Sequence, residues 1–216
     1  MFILNTTPSL VNKFLAELRD IDSQKDRMRF RHNLKRLGFL MAYEISKSLT
    51  FHEELIQTPL DTTKIQVPEN VVIISVLRAA APFYDGFLEA FDHAESGFVG
   101  AYRIESKEMN DGVDVDYLYQ ACPSLEGKTV IIVDPMLATG KSFVKTFENL
   151  LKNGLPKTVH IASVIAAPEG VALLKQQLQN YSVNLWTCAL DSHLNEHSYI
   201  VPGLGDAGDL AFGEKL

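Results

Sequence analysis

The chain has 216 residues, enough for one large domain or two small ones and for a sizeable hydrophobic core. Hydrophobic residues make up 46% and charged residues 22% of the chain, which excludes a disordered, collagenous or coiled-coil protein. The net charge of −7 and the pI near 5.4 argue against broad, sequence-independent binding of nucleic acid.

Helices are predicted in the first quarter of the chain. Apolar residues recur at helical spacing over 8–19 and again over 28–49, giving an N-terminal helical segment over about 8–49. A turn-rich, polar stretch from Thr58 to Pro68 follows and separates this segment from the rest of the chain.

Three short runs of β-branched residues predict strands that are buried on both faces: 71–74, 129–133 and 159–165. Helical patterns lie between and after these runs, at 83–91, 141–152 and 169–179. The alternation predicts an α/β fold with a parallel central sheet flanked by helices. No linker divides the chain, so we predict a single domain over 1–216 with its core over about 71–190.

Residues 103–118 fit neither pattern. They mix charged residues with the turn signal Asn110-Asp111-Gly112, which predicts a protruding hairpin or a mobile loop.

A buried strand that ends in an acid and then turns into a helix carries the clearest chemical signal, VIIVDPMLATGKS over 130–142. Ligands of open parallel sheets bind at the carboxyl ends of strands. The backbone from Ala138 to Ser142 can direct several N–H groups at one phosphate, helped by the Thr139 hydroxyl and the helix dipole, and Gly140 permits close approach. Asp134 can accept hydrogen bonds from vicinal ribose hydroxyls.

Two other interpretations of this motif stay open. Gly140-Lys141-Ser142 resembles the end of a Walker A loop, but that motif requires glycine where this chain has Pro135. The simpler alternative is a capped helix that follows a core strand and binds nothing.

A second motif, LNEHSYIVPGLGDAGD over 194–209, contains three glycines and two aspartates in an otherwise apolar setting. Such a segment suits a pocket in which backbone amides and carbonyls contact a flat ligand directly. The alternative is a long surface loop, against which the apolar run Tyr199-Ile200-Val201 argues.

Together, Asp134 to Ser142 and Tyr199 to Asp209 resemble the paired signature of the uracil phosphoribosyltransferase family, which is a type I phosphoribosyltransferase family. Further matches run from about residue 71 to 213: Leu77-Arg78-Ala79, Asp85-Gly86, Val99-Gly100, Tyr102-Arg103, Ala166 to Gly170 and Asn195-Glu196-His197. The resemblance implies a type I phosphoribosyltransferase fold with a small hood formed by terminal segments. It also implies an enzyme of pyrimidine salvage that converts uracil and 5-phosphoribosyl 1-diphosphate into UMP and pyrophosphate.

The resemblance also implies residue roles. The expected residues for 5-phosphoribosyl 1-diphosphate are Arg78, Arg103, Asp134, Pro135, Met136, Leu137, Ala138, Thr139, Gly140, Lys141, Ser142 and Asp206. Within the C-terminal segment 191–213, the expected uracil-binding residues are Tyr199, Ile200, Gly205, Asp206 and Ala207. Arg78 and Arg103 would contact the diphosphate and Asp206 would lie between base and sugar, which makes these three the expected catalytic residues.

The implied reaction passes through an oxocarbenium-like state, so catalysis depends on positioning and on stabilising the charge of the leaving group. The expected cofactor is Mg²⁺, held mainly by substrate oxygens. Many relatives have two adjacent acids where this chain has Asp134-Pro135, so no direct metal ligand is assigned. The segment 103–118 is the expected lid that keeps water from the cation.

The chain departs from the family pattern at several positions. Ala80, Lys141 and Ser198 stand where relatives usually have glycine, while Leu210 and Glu214 replace a basic residue and a threonine. These departures motivate an alternative hypothesis, a non-catalytic sensor that binds UMP or phosphoribosyl diphosphate. A phosphoribosyltransferase for another base is a third hypothesis.

A basic stretch, KDRMRFRHNLKR over 25–36, stands out in this acidic protein. A solvated helix face, a contact with a partner subunit, or a site for an anionic effector such as GTP would each explain it. The resemblance implies a homodimer or a higher homo-oligomer.

Two cysteines, Cys122 and Cys188, cannot form a disulfide framework, and their spacing indicates no zinc site. The longest apolar run, Val71 to Leu77, is far shorter than the roughly 20 residues that a membrane span needs. We therefore expect a cytoplasmic protein with neither nucleic-acid nor membrane partners.

Overall fold

The computed structural model describes residues 1–104 and 114–214, and it describes only the backbone of 101–104 and 114–118. The strands are β1 (Phe2–Ile3), β2 (Phe51–Gln57), β3 (Thr62–Pro68), β4 (Val71–Leu77), β5 (Glu95–Ile104), β6 (Asp114–Ala121), β7 (Thr129–Val133), β8 (Met136–Leu137), β9 (Thr158–Ala166), β10 (Val183–Leu190), β11 (His193–Leu194) and β12 (Ile200–Val201). The α-helices are α1 (Leu10–Arg19), α2 (Arg27–Ser46), α3 (Ala81–Ala90), α4 (Lys141–Leu150), α5 (Pro168–Gln177) and α6 (Ala207–Phe212).

Within the described residues, eight strands form the central sheet, in the order β1-β10-β9-β7-β4-β5-β6, and β8 pairs with β9. All pairs are parallel except β5 with β6. The three strands predicted from β-branched runs are β4, β7 and β9, which are neighbours at the centre of the sheet. The predicted α/β fold with a largely parallel sheet flanked by helices is confirmed.

Every residue of β7 is buried, which confirms that this strand is covered on both faces. Ile131 and Val133 belong to the hydrophobic core on the side of α1, α2 and α3. Val130 and Ile132 point the other way, into the core on the side of α4 and α5. The period-2 alternation of a strand therefore distributes one continuous apolar run between two cores.

Helices α2 and α3 meet backbone to backbone. A Cβ on Gly86 would lie 2.0 Å from the carbonyl oxygen of Lys35, and a Cβ on Gly38 would lie 2.1 Å from that of Phe83. The missing side chains let α3 lie close against α2, directly after the carboxyl end of β4.

The hairpin predicted for 103–118 is confirmed in part, because β5 and β6 pair antiparallel from Phe98↔Ala121 to Ile104↔Asp114. The connection over 105–113, with the predicted turn signal, lies outside the described residues. The N-terminal helical prediction is confirmed as α1 and α2, which end within a few residues of the predicted bounds.

The prediction for Thr58 to Pro68 was wrong in part. Residues 62–68 form β3, which pairs antiparallel with β2 along its whole length. Nearly all residues of both strands are exposed. A half-buried strand is recognised by its alternation of apolar and polar residues, and exposed strands such as these are under no such constraint.

The C-terminal segment lies against the N-terminal helices, as expected for a hood. β11 and β12 pair antiparallel, and α6 follows them. Arg31 on α2 donates from Nη1 to the carbonyl oxygen of Ala211 at 2.7 Å. Among the described residues, no helix is both long and apolar enough to cross a membrane.

Candidate functional site

A cleft of about 390 Å³ opens at the carboxyl ends of β4 and β7. After β4 the chain crosses through α3 to β5, and after β7 it crosses through α4 to β9 on the opposite side. The cleft therefore lies where the strand order reverses, which is where open α/β sheets bind ligands.

Both predicted motifs line this cleft. The lining residues that follow β4 and β7 include Arg78, Ala79, Asp134, Met136, Ala138, Thr139, Gly140 and Ser142. The lining residues from the C-terminal segment are Ser198, Tyr199, Ile200, Gly205, Asp206, Ala207 and Gly208. The two motifs, which are about 60 positions apart in the chain, thus face one space together with the residues after β4.

The loop over 138–142 rests on the first turn of α5. Gly140 has a φ of +80° and precedes α4, whose first residue is Lys141 as predicted. A Cβ on Gly140 would lie 2.9 Å from the carbonyl oxygen of Gly170, and a Cβ on Gly170 would lie 2.2 Å from that of Ala138. Glycine at both positions lets the loop lie directly on the helix that supports it.

Of the expected diphosphate-binding residues whose side chains the structure describes, three are not among those that line the cleft. The carbonyl oxygen of Pro135 accepts hydrogen bonds from the backbone N–H groups of Val164 and Ile165, both at 3.0 Å. Leu137 is buried in the core beside α4, and the Lys141 side chain is exposed. The first two residues therefore hold the loop to β9.

Asp134 stands at the end of β7, as predicted. Its Oδ1 accepts from the backbone N–H of Met136 at 3.0 Å, which orients the carboxylate at the rim of the cleft. The backbone N–H of Lys141 donates to the Thr139 hydroxyl at 3.4 Å. Asp134 thus presents an oriented acceptor beside a loop of backbone donors.

Arg78 is held by the C-terminal segment. Its Nη2 donates to Oδ1 of Asp209 at 2.8 Å and to the carbonyl oxygen of Gly213 at 2.7 Å. Its Nε is buried without a hydrogen-bond partner among the described residues. The side chain of Arg103 lies outside the described residues, so only Arg78 of the two predicted arginines is placed at the cleft.

The Asn195 side chain holds the turn over 195–199, which leads into the part of the C-terminal segment that lines the cleft. The Asn195 Oδ1 accepts from the backbone N–H groups of His197 at 3.0 Å and Tyr199 at 2.9 Å. The turn places Ser198 at a φ of +61°, a conformation that favours glycine. Asp206 then caps α6 by accepting from the backbone N–H of Asp209 at 3.0 Å.

Two other departures from the family pattern, Ala80 and Leu210, fit their surroundings. Ala80 has a φ of −71°, which alanine adopts without strain, and it is fully buried at the start of α3. Leu210 packs against the core on the α1 side. Only Ser198 therefore has a backbone conformation that its side chain disfavours.

Glu169 and Asp191 anchor the C-terminal segment, and neither role was among the predictions from the sequence. Glu169 Oε1 accepts from the backbone N–H of Leu194 at 2.9 Å, and this hydrogen bond lowers the pKa of that carboxyl below its usual value. The buried Asp191 pairs with Arg19 on α1. The motif Pro168-Glu169-Gly170 was a signal for the first anchor, whereas no local pattern indicates the second.

Within the part of the chain that the structure describes, no three His, Cys, Asp or Glu side chains are grouped closely enough to hold a metal ion.

The chain matches the family model of uracil phosphoribosyltransferase over residues 5–214. The uracil phosphoribosyltransferase of Porphyromonas gingivalis is 46% identical over 214 residues, covering 99% of this chain and 98% of the relative. That of Pyrococcus furiosus is 39% identical over 210 residues, covering 95% and 87%.

Two solved structures share the fold of this chain. The AQ2163 protein from Aquifex aeolicus has a TM-score of 0.87 at 30% identity, covering 99% of this chain and 98% of that one. A hypoxanthine phosphoribosyltransferase from Staphylococcus aureus shares the fold, with a TM-score of 0.50 at 12% identity over 81% of this chain and 85% of its own. The predicted type I phosphoribosyltransferase fold is confirmed, and the chain belongs to the uracil phosphoribosyltransferase family.

Proposed function

We propose that this chain is an enzyme that transfers the 5-phosphoribosyl group of 5-phosphoribosyl 1-diphosphate to uracil, giving UMP and pyrophosphate in pyrimidine salvage. The observation that carries the proposal is the single cleft lined both by the loop over 138–142 and by the segment over 199–207. Membership of the family supports the same reaction.

The loop binds the 5′-phosphate of the substrate. Its backbone N–H groups and the first turn of α4 provide donors and a positive helix end, both of which favour an anion. Asp134 accepts hydrogen bonds from the ribose hydroxyls. A phosphate held at one end and a ribose held beside it place the anomeric carbon at a fixed position in the cleft.

The C-terminal segment binds uracil, mainly through its backbone. Ile200 and Ala207 are buried beside the cleft, while Gly205 and Asp206 are exposed to it, so apolar contact and polar backbone groups are adjacent. Uracil presents an alternating acceptor, donor, acceptor edge to such a backbone.

The bond to pyrophosphate breaks as the bond to N1 of uracil forms and the N1 proton passes to solvent, so negative charge develops on the leaving group. Arg78 stabilises that charge through its guanidinium group, and Arg103 has the same proposed role. Asp206, at the start of α6, lies between base and sugar and stabilises positive charge on the ribose.

We propose Mg²⁺ as the cofactor, entering with the diphosphate. The described side chains do not group into a site for it, whereas diphosphate and ribose oxygens supply the hard ligands that it prefers. The bound ion would neutralise part of the charge on the leaving group.

We also propose a homo-oligomer, assembled through the hairpin of β2 and β3. Leu55 is 67% exposed and Leu60 at the turn is 97% exposed, an arrangement that is costly for a monomer in water. Sedimentation at micromolar concentration, with Leu55→Glu as the variant that separates the subunits, tests this assembly.

Three of the six Lys and Arg residues in the basic stretch over 25–36 form ion pairs within the chain. Lys25, Arg29 and Lys35 form ion pairs with Asp22, Glu17 and Glu89 respectively. Binding of GTP and a cytoplasmic location stay predictions from the sequence.

The test is turnover of radiolabelled uracil with 5-phosphoribosyl 1-diphosphate and Mg²⁺, with release of pyrophosphate measured in parallel. We expect one UMP for each pyrophosphate. Tight UMP binding without turnover would favour the sensor instead. Turnover of hypoxanthine or xanthine in preference to uracil would indicate a transferase for another base.

A further inference from the structure

An ion pair connects α1 to the segment that lines the base side of the cleft. Arg19, the last residue of α1, donates from Nη2 to Oδ1 of Asp191 at 2.6 Å and from Nη1 to Oδ2 at 2.8 Å. This is a bidentate contact, and the Asp191 side chain is only 5% exposed. Such fork-like pairs fix the orientation of both partners.

The same two side chains hold both polar groups of one residue in the C-terminal segment. The backbone N–H of Gly203 donates to Oδ2 of Asp191 at 2.9 Å, and the carbonyl oxygen of Gly203 accepts from Nη1 of Arg19, also at 2.9 Å. Gly203 and the Asp191 side chain are buried, so the hydrogen bond between them is shielded from water.

Gly203 is central to the shape of the base subsite. It stands between Ile200 and Gly205, both of which line the cleft. Its φ is +65°, and a Cβ on it would lie 2.1 Å from the carbonyl oxygen of Ile200, so the turn over 200–203 is tight. A shift of Gly203 would move the backbone groups on both sides of it.

Asp191 is in turn fixed to the central sheet. It directly follows β10, and its backbone N–H donates to the carbonyl oxygen of Ala166, the last residue of β9, at 2.8 Å. The connection therefore runs from the sheet through Asp191 to Gly203, with Arg19 completing it from α1.

We propose that Arg19 is a positioning residue for uracil, holding the backbone over 200–207 in the geometry that recognises the base. The inference rests on the proposed function, because it assigns uracil to this segment. Arg19 is not among the residues that line the cleft, so it acts through Asp191 and Gly203. Among the described hydrogen bonds, none joins the loop over 138–142 to Arg19 or Asp191, so we expect binding of 5-phosphoribosyl 1-diphosphate to depend on Arg19 less than binding of uracil does.

The experiment compares Arg19→Gln and Arg19→Lys with the unaltered chain. A matched control is Arg29→Gln, since Arg29 also pairs with a carboxylate, Glu17 at 3.1 Å, but lies away from the cleft. For each variant, KM for uracil, KM for 5-phosphoribosyl 1-diphosphate and kcat are measured. Amide hydrogen exchange over 200–207 is measured in the absence of substrate.

We expect Arg19→Gln to raise KM for uracil by about tenfold or more and KM for the diphosphate by less than about twofold, because a charged hydrogen-bond network is lost. Arg19→Lys keeps the charge and should recover part of the uracil affinity. In Arg19→Gln, amide hydrogen exchange should become faster over 200–207 but not in the central strands. Arg29→Gln should change none of these quantities.

An equal rise in both KM values, or a folded Arg19→Gln chain with unchanged KM for uracil, would overturn the inference. If Arg19→Gln does not fold, Arg19→Lys carries the same comparison, and unchanged exchange and unchanged uracil KM there would also overturn it. Should the unaltered chain fail to use uracil, the proposed function fails, while the exchange experiment still tests whether Arg19 holds this segment.

Discussion

Arg78 and Asp209 form an ion pair, with Nη2 of the arginine 2.8 Å from Oδ1 of the aspartate. The pair joins the turn after β4 to α6, across the cleft that both elements border. Because the same Nη2 also donates to Gly213, both of its hydrogens are used by the C-terminal segment. The position of this guanidinium group thus depends on the end of the chain.

Replacing Arg78 by glutamine should weaken binding of the diphosphate substrate. A charge-assisted hydrogen bond to phosphate is lost, which predicts a rise in KM for 5-phosphoribosyl 1-diphosphate of about tenfold or more. KM for uracil should change by less than about twofold. Steady-state kinetics with each substrate varied in turn provides the measurement.

Lys35→Gln is the control for this variant. Lys35 is also an ion-paired cation, 3.0 Å from Glu89, but it lies outside the cleft. The assignment of Arg78 would be wrong if both variants gave the same KM values as the unaltered chain.

Gly140→Ala should disturb the phosphate-binding loop. Gly140 has a φ of +80° and Gly127 a φ of +66°. A Cβ at Gly140 would contact Gly170, whereas a Cβ at Gly127 would meet nothing within 4 Å. Gly127→Ala should cost about 1 kcal/mol of unfolding free energy through its backbone conformation alone. Gly140→Ala should cost about 2 kcal/mol or more and should also raise KM for the diphosphate substrate.

Denaturant unfolding and substrate kinetics on the two alanine variants separate these effects. Equal losses of stability, with no kinetic effect of Gly140→Ala, would contradict the close packing of this loop on α5.

His160 should make stability depend on pH. It is buried on β9, and burial lowers its pKa from 6.5 to about 4. Trp186 Nε1 donates to its Nδ1 at 3.0 Å, which requires an unprotonated Nδ1. Between these two pKa values the unfolded chain binds more protons than the folded chain, so the unfolding free energy falls as pH falls, by up to about 3 kcal/mol.

Urea unfolding from pH 7 down to pH 4 measures this slope. His160→Gln should flatten it, whereas His93→Gln should not, because the side chain of His93 is 83% exposed. A slope that is the same in all three proteins would assign the pH dependence to other groups.

The backbone pocket should distinguish uracil from cytosine. Cytosine has an acceptor at N3 where uracil has a donor, and a donor on C4 where uracil has an acceptor. Polar groups that pair with uracil would therefore be left unpaired by cytosine. We expect kcat/KM for uracil to exceed that for cytosine by about 10³ or more. Competition between the two bases in one assay gives this ratio directly, and a ratio near unity would mean that side-chain packing rather than backbone pairing selects the base.

The centre of the fold was predictable because apolar runs buried on both faces leave a clear signal. Val71 to Ile74 and Thr129 to Val133 were assigned as strands on that basis and lie side by side in the sheet. β2 and β3 were missed since nearly all their residues are exposed and neither contains a buried apolar run like that of β4 or β7. β10 was also missed, because Asn184 and Thr187 interrupt its apolar residues.

The site was predictable where it is local. The strand, acid, loop and helix around Asp134 form one continuous stretch of chain, so its geometry follows from neighbouring residues. Asp209 pairs with Arg78, which is 131 positions away, and Arg19 pairs with Asp191, which is 172 positions away. No local pattern in the sequence encodes either pair. The glycines and aspartates of the second motif marked it in the sequence, but only the fold brings these distant partners to it.

A crystal structure with UMP tests the central claim most directly, since the nucleotide carries both the phosphate and the base. We predict the phosphate against the backbone of 138–142, the ribose beside Asp134 and the uracil ring against 200–207. A nucleotide bound elsewhere, or one whose phosphate lies at the C-terminal segment, would contradict the account.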